Sequence, residues 1–493
     1  MGRSRSRRRF LRQAAGMAAG AVAGWALMPA GRLFAVSATS AASAAPSSAP
    51  SARRCNVVLF LVDDQGFGDL AYHGNPHCKT PNMDALARES VELTAFHVCP
   101  VCSPTRASLM TGRYHFRTGV TDVFGKDCQM RSGEVTVAEA LRQAGYATGI
   151  FGKWHLGDDK PHRPMDQGFD ESLVHKGPSM RKYTDPVLLL NGQEKQFKGY
   201  CTDIFVDHAL DFMRRNKTRP FFLYVPTNLI HTPLQPPPGG AEPFQAAGLD
   251  KTTAAVYAML KNVDDNLGRL RTGLKQLGLE DDTFFLFTTD NGPCTGSTTL
   301  QRFMAGLQGL KGTTFENGIR VPCFARWPNG FKSPGKIDRI AAHIDVMPTV
   351  LDACGADKPA NVRLDGVSLM PLLRREGGDW PDRTLFFQWE GTSLPHAGMG
   401  YAVLTQQYKL VQPVGCAGVA NQTHIRRKYN ELCVAQGRGN LTLEGEPRYL
   451  LYDIAADPGE TKDIAAEHPE IVQKLRKAYE VWFEDVMKDY RGK

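Results

Sequence analysis

The chain has no second C-x-x-C, no apolar run as long as the ~20 residues that a membrane span needs, and no excess of one charge outside its first residues. Each absence removes a class. Without a second cysteine pair, the C-P-V-C of Cys99 and Cys102 has nothing with which to complete a zinc site. The longest apolar stretch, residues 14–27, is rich in Ala and Gly and too short to span, so no stable membrane anchor is expected. The formal charge of +8 suggests a nucleic-acid binder until it is located. Seven arginines (Arg3, Arg5, Arg7, Arg8, Arg9, Arg12 and Arg32) stand in the first 35 residues with no acid among them, and setting them aside takes +8 to +1. A nucleic-acid partner is therefore not expected.

At 493 residues, 42% hydrophobic and 22% charged, the chain has the composition of a folded globular protein with a large core. Its leader reads as an export signal: SRRRFLR at 6–12, the apolar stretch, Pro29, and an A-x-A-like region near Ala35. It resembles the twin-arginine signal that carries folded proteins across bacterial membranes, which implies the twin-arginine export machinery as a partner and a periplasmic or secreted product. The Ala/Ser/Pro tract that follows is too poor in large apolar groups to fold. The expected organisation is a signal peptide at 1–35, a linker at 36–53, a large domain at 54–379 and a smaller one at 380–493. An exported chain can oxidise its cysteines, and Cys416 with Cys433 is a plausible surface pair. The sequons at Asn216, Asn421 and Asn440 read as accidental behind a bacterial leader.

Four short, almost wholly apolar runs each end in a polar cluster. NVVLFLV leads into Asp63-Asp64, ATGIF into GKWH, PFFLYVP into TNLIH, and TFFLFTT into Asp290-Asn291. Apolar runs of this length without alternation fit strands buried on both faces, as in a parallel sheet covered by helices. In such sheets functional groups gather beyond the carboxyl ends of the strands. Between the runs, Thr80-Pro81 reads as a cap and first residue of a helix. Val256, Leu260, Val263, Leu267, Leu270, Leu274 and Leu277 form the stripe of an amphipathic helix, with Asp264 and Asp265 off the stripe and expected in solvent. From about Trp380 the pieces shorten and alternate (YAVLT, YKLVQP, YLLYDIAADPGE) before a last helix at 469–490, which suggests a smaller α+β part with a short antiparallel sheet.

Asp63, Asp64, Asp290 and Asn291 offer only hard oxygens, from two strand ends far apart in the chain, which suits Ca²⁺ or Mg²⁺ better than zinc. The same D-D-Q-G and D-N-G segments also read as ordinary turns. Lys153 and His155 of GKWHLG, His231 of IHTP and Lys311 of LKGTTFENGIRVP follow apolar strands and are the candidate donors and bases. A cation surrounded by cationic side chains stabilises a transferring sulfate or phosphate oxyanion.

The segment CSPTRASLMTGR resembles the C-x-P-x-R signature of the formylglycine-dependent sulfatases. LVDDQGFGDL, TPNMDAL, GYATGIFGKWHLG, GFD, HTPLQ, TTDNG, KGTTFENGIRVP and LYDIAADPGE come in that family's order over nearly all of residues 55–490. The resemblance implies an alkaline-phosphatase-like α/β fold: a large, mostly parallel sheet between helices, plus the smaller C-terminal α+β domain. It implies that a formylglycine-generating enzyme oxidises Cys102, that the hydrated aldehyde is the nucleophile, and that the substrate is a sulfate ester. By the same resemblance Asp63, Asp64, Asp290, Asn291 and residue 102 hold Ca²⁺ (or Mg²⁺), and Arg106 steadies the diol. Lys153, His231 and Lys311 contact the sulfate, His231 or Lys311 protonates the leaving alcohol, and His155 takes a proton from the second hydroxyl.

Relatives with the same site cleave phosphorus esters, so a phosphonate or phosphate ester hydrolase is the alternative. A thiol–disulfide protein using C-P-V-C is the reading from another class, and it leaves the acids, histidines and lysines unexplained. Two departures stand out. Leu310 and Asn317 replace usual glycines near Lys311, and the extra thiol of Cys99 could pair with Cys102 and compete with its conversion. The residues leave open which sulfated sugar or aryl sulfate is cleaved. Lys176, Arg181, Lys182 and the loop from Glu390 to Met399 with His396 could line a carbohydrate pocket or be plain surface.

Overall fold

The computed structural model describes residues 54–377, 380–391, 394–413 and 449–492. The leader, the linker, the Cys416 and Cys433 pair, and the sequons at Asn421 and Asn440 lie outside them. Asn216 lies within them, nearly buried, its amide donating to the Phe212 carbonyl at 2.9 Å.

The four apolar runs are neighbours. In a ten-stranded sheet the order across the middle is Thr283–Thr289, Asn56–Val62, Phe221–Pro226, Ala147–Gly152, Glu171–Val174, with every pairing parallel. Antiparallel strands flank this block, Phe324–Arg326 on one side and Val187–Leu190 on the other. The absence of alternation in NVVLFLV has a direct cause. Val58, Phe60 and Val62 join one hydrophobic cluster with the helices Pro81–Glu89, Cys201–Asn216 and Lys251–Gln276. Val57, Leu59 and Leu61 join a second with the helices Cys102–Thr111, Val137–Gln143 and Val346–Cys354. Both faces of the strand are core, so both must be apolar.

Because the four strands run parallel, their carboxyl ends meet at one edge, and backbone hydrogen bonds continue the pairing into the loops. Asp290 N–H donates to Val62 C=O at 3.1 Å, Asp63 N–H to Leu229 C=O at 2.9 Å, and Lys153 N–H to Pro226 C=O at 2.6 Å. Gly152 makes the last of these possible. Its φ is +143°, and a Cβ there would lie 1.8 Å from the Pro226 oxygen.

The amphipathic helix is present as Lys251–Gln276, with Asp250 capping its first amides. Asp265 is at the surface beside Lys261, but Asp264 is fully buried, contrary to the sequence reading. Its oxygens accept from the backbone N–H of Asn82 (3.2 Å) and Met83 (2.7 Å) and from the Asn82 amide (2.8 Å). The expected cap from Thr80 is not made. The Thr80 hydroxyl instead accepts from Ala71 N–H and donates to Asp84. The first amides of the helix Pro81–Glu89 thus find their acceptor on another helix, which draws Asp264 into the interior.

The C-terminal part has the expected short antiparallel sheet, Leu385–Gln388, Tyr401–Leu404, Tyr408–Gln412 and Leu450–Asp453 in that order, covered by the helix Pro469–Arg491. Tyr479, Trp482 and Phe483 of that helix share one core with the sheet and with Tyr114, Phe116 and Ile344 of the larger part. Arg117, buried, binds Asp365, Asp485 and Asp489 across the same seam. Among the described residues no helix is long and apolar enough to cross a membrane.

Asp264→Ala should lower the unfolding free energy by about 2 kcal/mol, because it strands buried amides. Asp265→Ala should change it by less than about 0.5 kcal/mol. Urea denaturation of the two variants checks the contrast.

Candidate active site

Cys102 is the first residue of a ten-residue helix, Cys102–Thr111, that is buried along its whole length. A buried helix must satisfy its polar side chains internally. Ser103 donates to His155 C=O (3.0 Å), Thr105 to Cys99 C=O (3.1 Å), and Thr111 to Ala107 C=O (2.8 Å). One turn beyond Cys102, Arg106 reaches under the strand ends. Its Nε and Nη2 donate to Asp290 Oδ2 at 3.1 and 2.7 Å, its Nη1 donates to Lys153 C=O at 2.8 Å, and Asp63 Oδ2 lies 3.7 Å away. Lys153 Nζ donates to Asp63 Oδ2 at 2.6 Å, and Lys311 Nζ binds Asp64 Oδ1. Asp64 Oδ1 also accepts from Asn291 Nδ2 at 2.8 Å, and Asp64 N–H donates to Asp290 Oδ1 at 3.2 Å.

The structure therefore brings the sequence-derived residues together at one point, with Asp63, Asp64, Asp290, Asn291, Arg106 and Lys153 fully buried. Asp64 and His155 both adopt φ of +61°, a conformation rare for non-glycine residues that here turns their side chains at the ends of their strands.

Three oxygens of this cluster have no hydrogen-bond partner although buried: Asp63 Oδ1, Asp64 Oδ2 and Asn291 Oδ1. One oxygen each of Asp63 and Asp64 and a ring nitrogen of His231 lie within 4.8 Å of one another. Buried acceptors left bare are costly, and a set dominated by carboxylate and amide oxygens fits a hard cation such as Ca²⁺ or Mg²⁺. The charges point the same way. Burial and the neighbouring Asp63 push the Asp290 carboxyl up to about 6 despite Arg106, Lys153 and Lys311, a crowding that a positive charge placed among the acids would relieve. Burial would also raise Asp64, but Lys311 beside it, with the hydrogen bonds from Lys311 and Asn291, holds it well below the usual range.

The two histidines are neutral. Burial and the nearby Lys311 lower His231 to about 3. Its Nδ1 faces the Thr232 carbonyl, which places the proton on Nδ1 and leaves Nε2 as an acceptor 4.0 Å from Asp64 Oδ2. Burial and Lys153 hold His155 well below its ordinary value. His155 Nε2 donates to Val123 C=O at 2.9 Å, and its Nδ1, buried, has no partner: a bare base at the floor of the site. Burial lowers Lys311 less than Asp64 and the neighbouring acids raise it, so it stays protonated. Burial raises the Cys102 thiol, opposed by Lys153 and Lys311.

Above these groups opens a cavity of about 830 Å³ lined by Cys102, His155, His231 and Lys311, with Cys294, Ser179, Asp122 and Trp389 on its walls. Sequence reasoning missed these wall residues, which lie in loops without a motif. It also missed Arg302, buried, which pairs with Asp69 and donates to Asp64 C=O at 3.0 Å, fixing the strained turn. Lys176, Arg181 and Lys182 are exposed and do not line the cavity; of the loop from Glu390 to Met399, Gly391 lines it, and His396 is paired with Glu390. Every described cysteine is free. Cys99 forms no disulfide with Cys102. Its sulfur lies 3.3 Å from His343 Nε2, and since His343 Nδ1 faces the His97 carbonyl, the Cys99 thiol is the donor. Burial raises that thiol out of the reactive range.

A mostly parallel sheet whose strand ends gather buried acids and cationic side chains around a helix-borne cysteine defines an alkaline-phosphatase-like hydrolase of oxyanion esters. The Sulfatase family model matches residues 55–356, and that of N-sulphoglucosamine sulphohydrolase, C-terminal, matches residues 310–418. Arylsulfatase A of Homo sapiens is 33% identical over 472 residues, covering 86% of this chain and 87% of that protein. N-acetylgalactosamine-6-sulfatase of Sus scrofa is 29% identical over 467 residues, covering 86% and 84%. Among solved structures, Ps i-CgsB in complex with k-i-k-neocarrahexaose matches with a TM-score of 0.74 at 25% identity, over 87% of this chain and 93% of that one. The chain belongs to the sulfatase family and is an enzyme of sulfate ester hydrolysis.

Arg106→Ala should cost about 3–5 kcal/mol of stability, because it removes the guanidinium that binds Asp290 and leaves the buried Asp63 and Asp290 carboxyls less compensated. Arg106→Lys should recover part of that loss. Thermal and denaturant unfolding of both variants measure it.

Proposed function

We propose that this sulfatase cleaves a sulfate monoester with a formylglycine made from Cys102 by a formylglycine-generating enzyme, and with one divalent cation, Ca²⁺ or Mg²⁺, held by Asp63, Asp64, Asp290, Asn291 and residue 102. The observation that carries the reading is the trio of bare, buried oxygens beside a cysteine that opens a buried helix. The twin-arginine-like leader supports export to the periplasm or medium as a folded protein, after a modification made where thiols stay reduced. The same leader supports the export machinery as a partner.

A hydrated formylglycine at 102 supplies an oxygen nucleophile and a second hydroxyl whose deprotonation releases the sulfate. The chain's own residues divide the remaining work. Lys153 and Lys311 already neutralise Asp63 and Asp64, and in this reading their ammonium groups also meet the sulfate oxygens. Arg106 stands beneath residue 102 and holds Asp290 and the Lys153 backbone in place. Of the two candidate acids for the leaving alcohol, Lys311 carries a proton and the Nε2 of neutral His231 does not, so Lys311 is the donor in this reading. His155 Nδ1, bare and neutral, takes the proton of the second hydroxyl.

The test is protein made beside a formylglycine-generating enzyme. Peptide mass spectrometry across Cys99 to Arg106 should find residue 102 as the aldehyde or its hydrate, and the protein should hydrolyse 4-nitrophenyl sulfate faster than the matching phosphate and phosphonate esters. Full sulfatase activity with residue 102 still cysteine would overturn the mechanism, and phosphoesterase activity far above sulfatase activity would favour the phosphorus-ester reading. His155→Ala should lower kcat on the aryl sulfate by about 10²–10⁴-fold, with KM changed far less, as steady-state kinetics would show.

A further inference from the structure

The cavity over Cys102 is uneven in charge. Its floor carries Lys311, His155 and His231. Its walls are largely apolar, from Val101, Phe124, Pro178, Pro233 and Trp389, and Phe124 is 61% exposed at the rim. Among the described lining residues, Asp122 is the only carboxylate, and no wall residue is basic. Asp122 is held rather than loose. Its Oδ1 accepts from Val123 N–H at 2.8 Å and from the indole N–H of Trp389, 267 residues away in the chain, at 3.1 Å. The indole is therefore oriented by the acid, and the acid by the indole, at one place on the wall. Among the described residues, Lys176, Arg181 and Lys182, close in sequence to Pro178 and Ser179 of the wall, do not line the cavity.

We infer that Asp122 is a specificity-determining residue: the ring bearing the sulfate is uncharged, and leaving groups with a second anionic substituent are rejected by the fixed Asp122 carboxylate. The inference rests on the sulfate-ester reading above. Aromatic and proline walls accept the face of an aryl or sugar ring. A second carboxylate or sulfate on that ring would enter a partly desolvated space beside a like charge, with no basic residue among the described wall residues to meet it.

Two esters separate the terms: methyl 4-(sulfooxy)benzoate and 4-(sulfooxy)benzoate, which differ by one charge remote from the sulfate. Their intrinsic leaving-group difference is the same for every variant, so a change in the ratio of kcat/KM between variants reads the wall. The wild type should prefer the uncharged ester by about tenfold or more, and Asp122→Asn, which keeps an oxygen for both hydrogen bonds, should shrink that preference by about tenfold. Asp122→Glu, with the charge restored, should keep the discrimination. Added salt should weaken the wild-type preference, a measurement that needs no variant to fold. A wild-type preference for the carboxylate ester, a preference insensitive to salt, or the same ratio in the wild type and Asp122→Asn would overturn the inference. No turnover of either ester by formylglycine-bearing enzyme would instead overturn the sulfate-ester reading itself.

Discussion

The structure depends on one electrostatic constraint: acids delivered by two parallel strands meet at full burial and must be matched by positive charge. Asp63 and Asp290 cannot lie side by side at full burial unless something cationic holds them, and the protein supplies Arg106 from the buried helix and Lys153 from the next strand but one. Asp64 is matched in turn by Lys311. These pairs explain why the helix Cys102–Thr111 is buried in spite of its polar residues. They also explain why its first residue, and not a later one, stands at the edge where the strands end.

This constraint links the fold to the chemistry. The apolar runs exist because the strands are covered on both faces. Parallel pairing sends their ends to one side, and the loops beyond are tied by backbone bonds such as Asp63 to Leu229 and Lys153 to Pro226. The matching is incomplete, since Asp63, Asp64 and Asn291 each keep an oxygen that no protein group reaches. Full internal pairing would leave nothing to bind a cation. In the function proposed above, that shortfall is what receives the cation.

Much of this was legible in the sequence because it is local. An apolar run ending in Asp-Asp or Asp-Asn states both the strand and the position of its acids, and the four runs proved to be sheet neighbours. What was not legible depends on partners that no spacing encodes. Asp264 looked like a solvated charge because its helical face is polar. It is buried because helix Pro81–Glu89, whose Thr80 hydroxyl is engaged elsewhere, needs an acceptor for its amides. Arg302 and the pairing of Asp122 with Trp389 join segments hundreds of residues apart, and neither sits in a motif. Cys99 posed a real ambiguity in sequence, two thiols three residues apart. The three-dimensional answer is His343, whose Nε2 accepts a hydrogen bond from the Cys99 thiol and gives that sulfur another partner.

The central claim is that the strand-end acids form a cation site, and calorimetric titration of Ca²⁺ and Mg²⁺ into protein stripped of metal tests it most directly. The account predicts a single divalent cation per chain, with binding lost in Asp63→Asn and in Asp290→Asn while both variants remain folded by circular dichroism. A stripped, folded wild type that binds no divalent cation, or variants that bind one as tightly as the wild type, would contradict it.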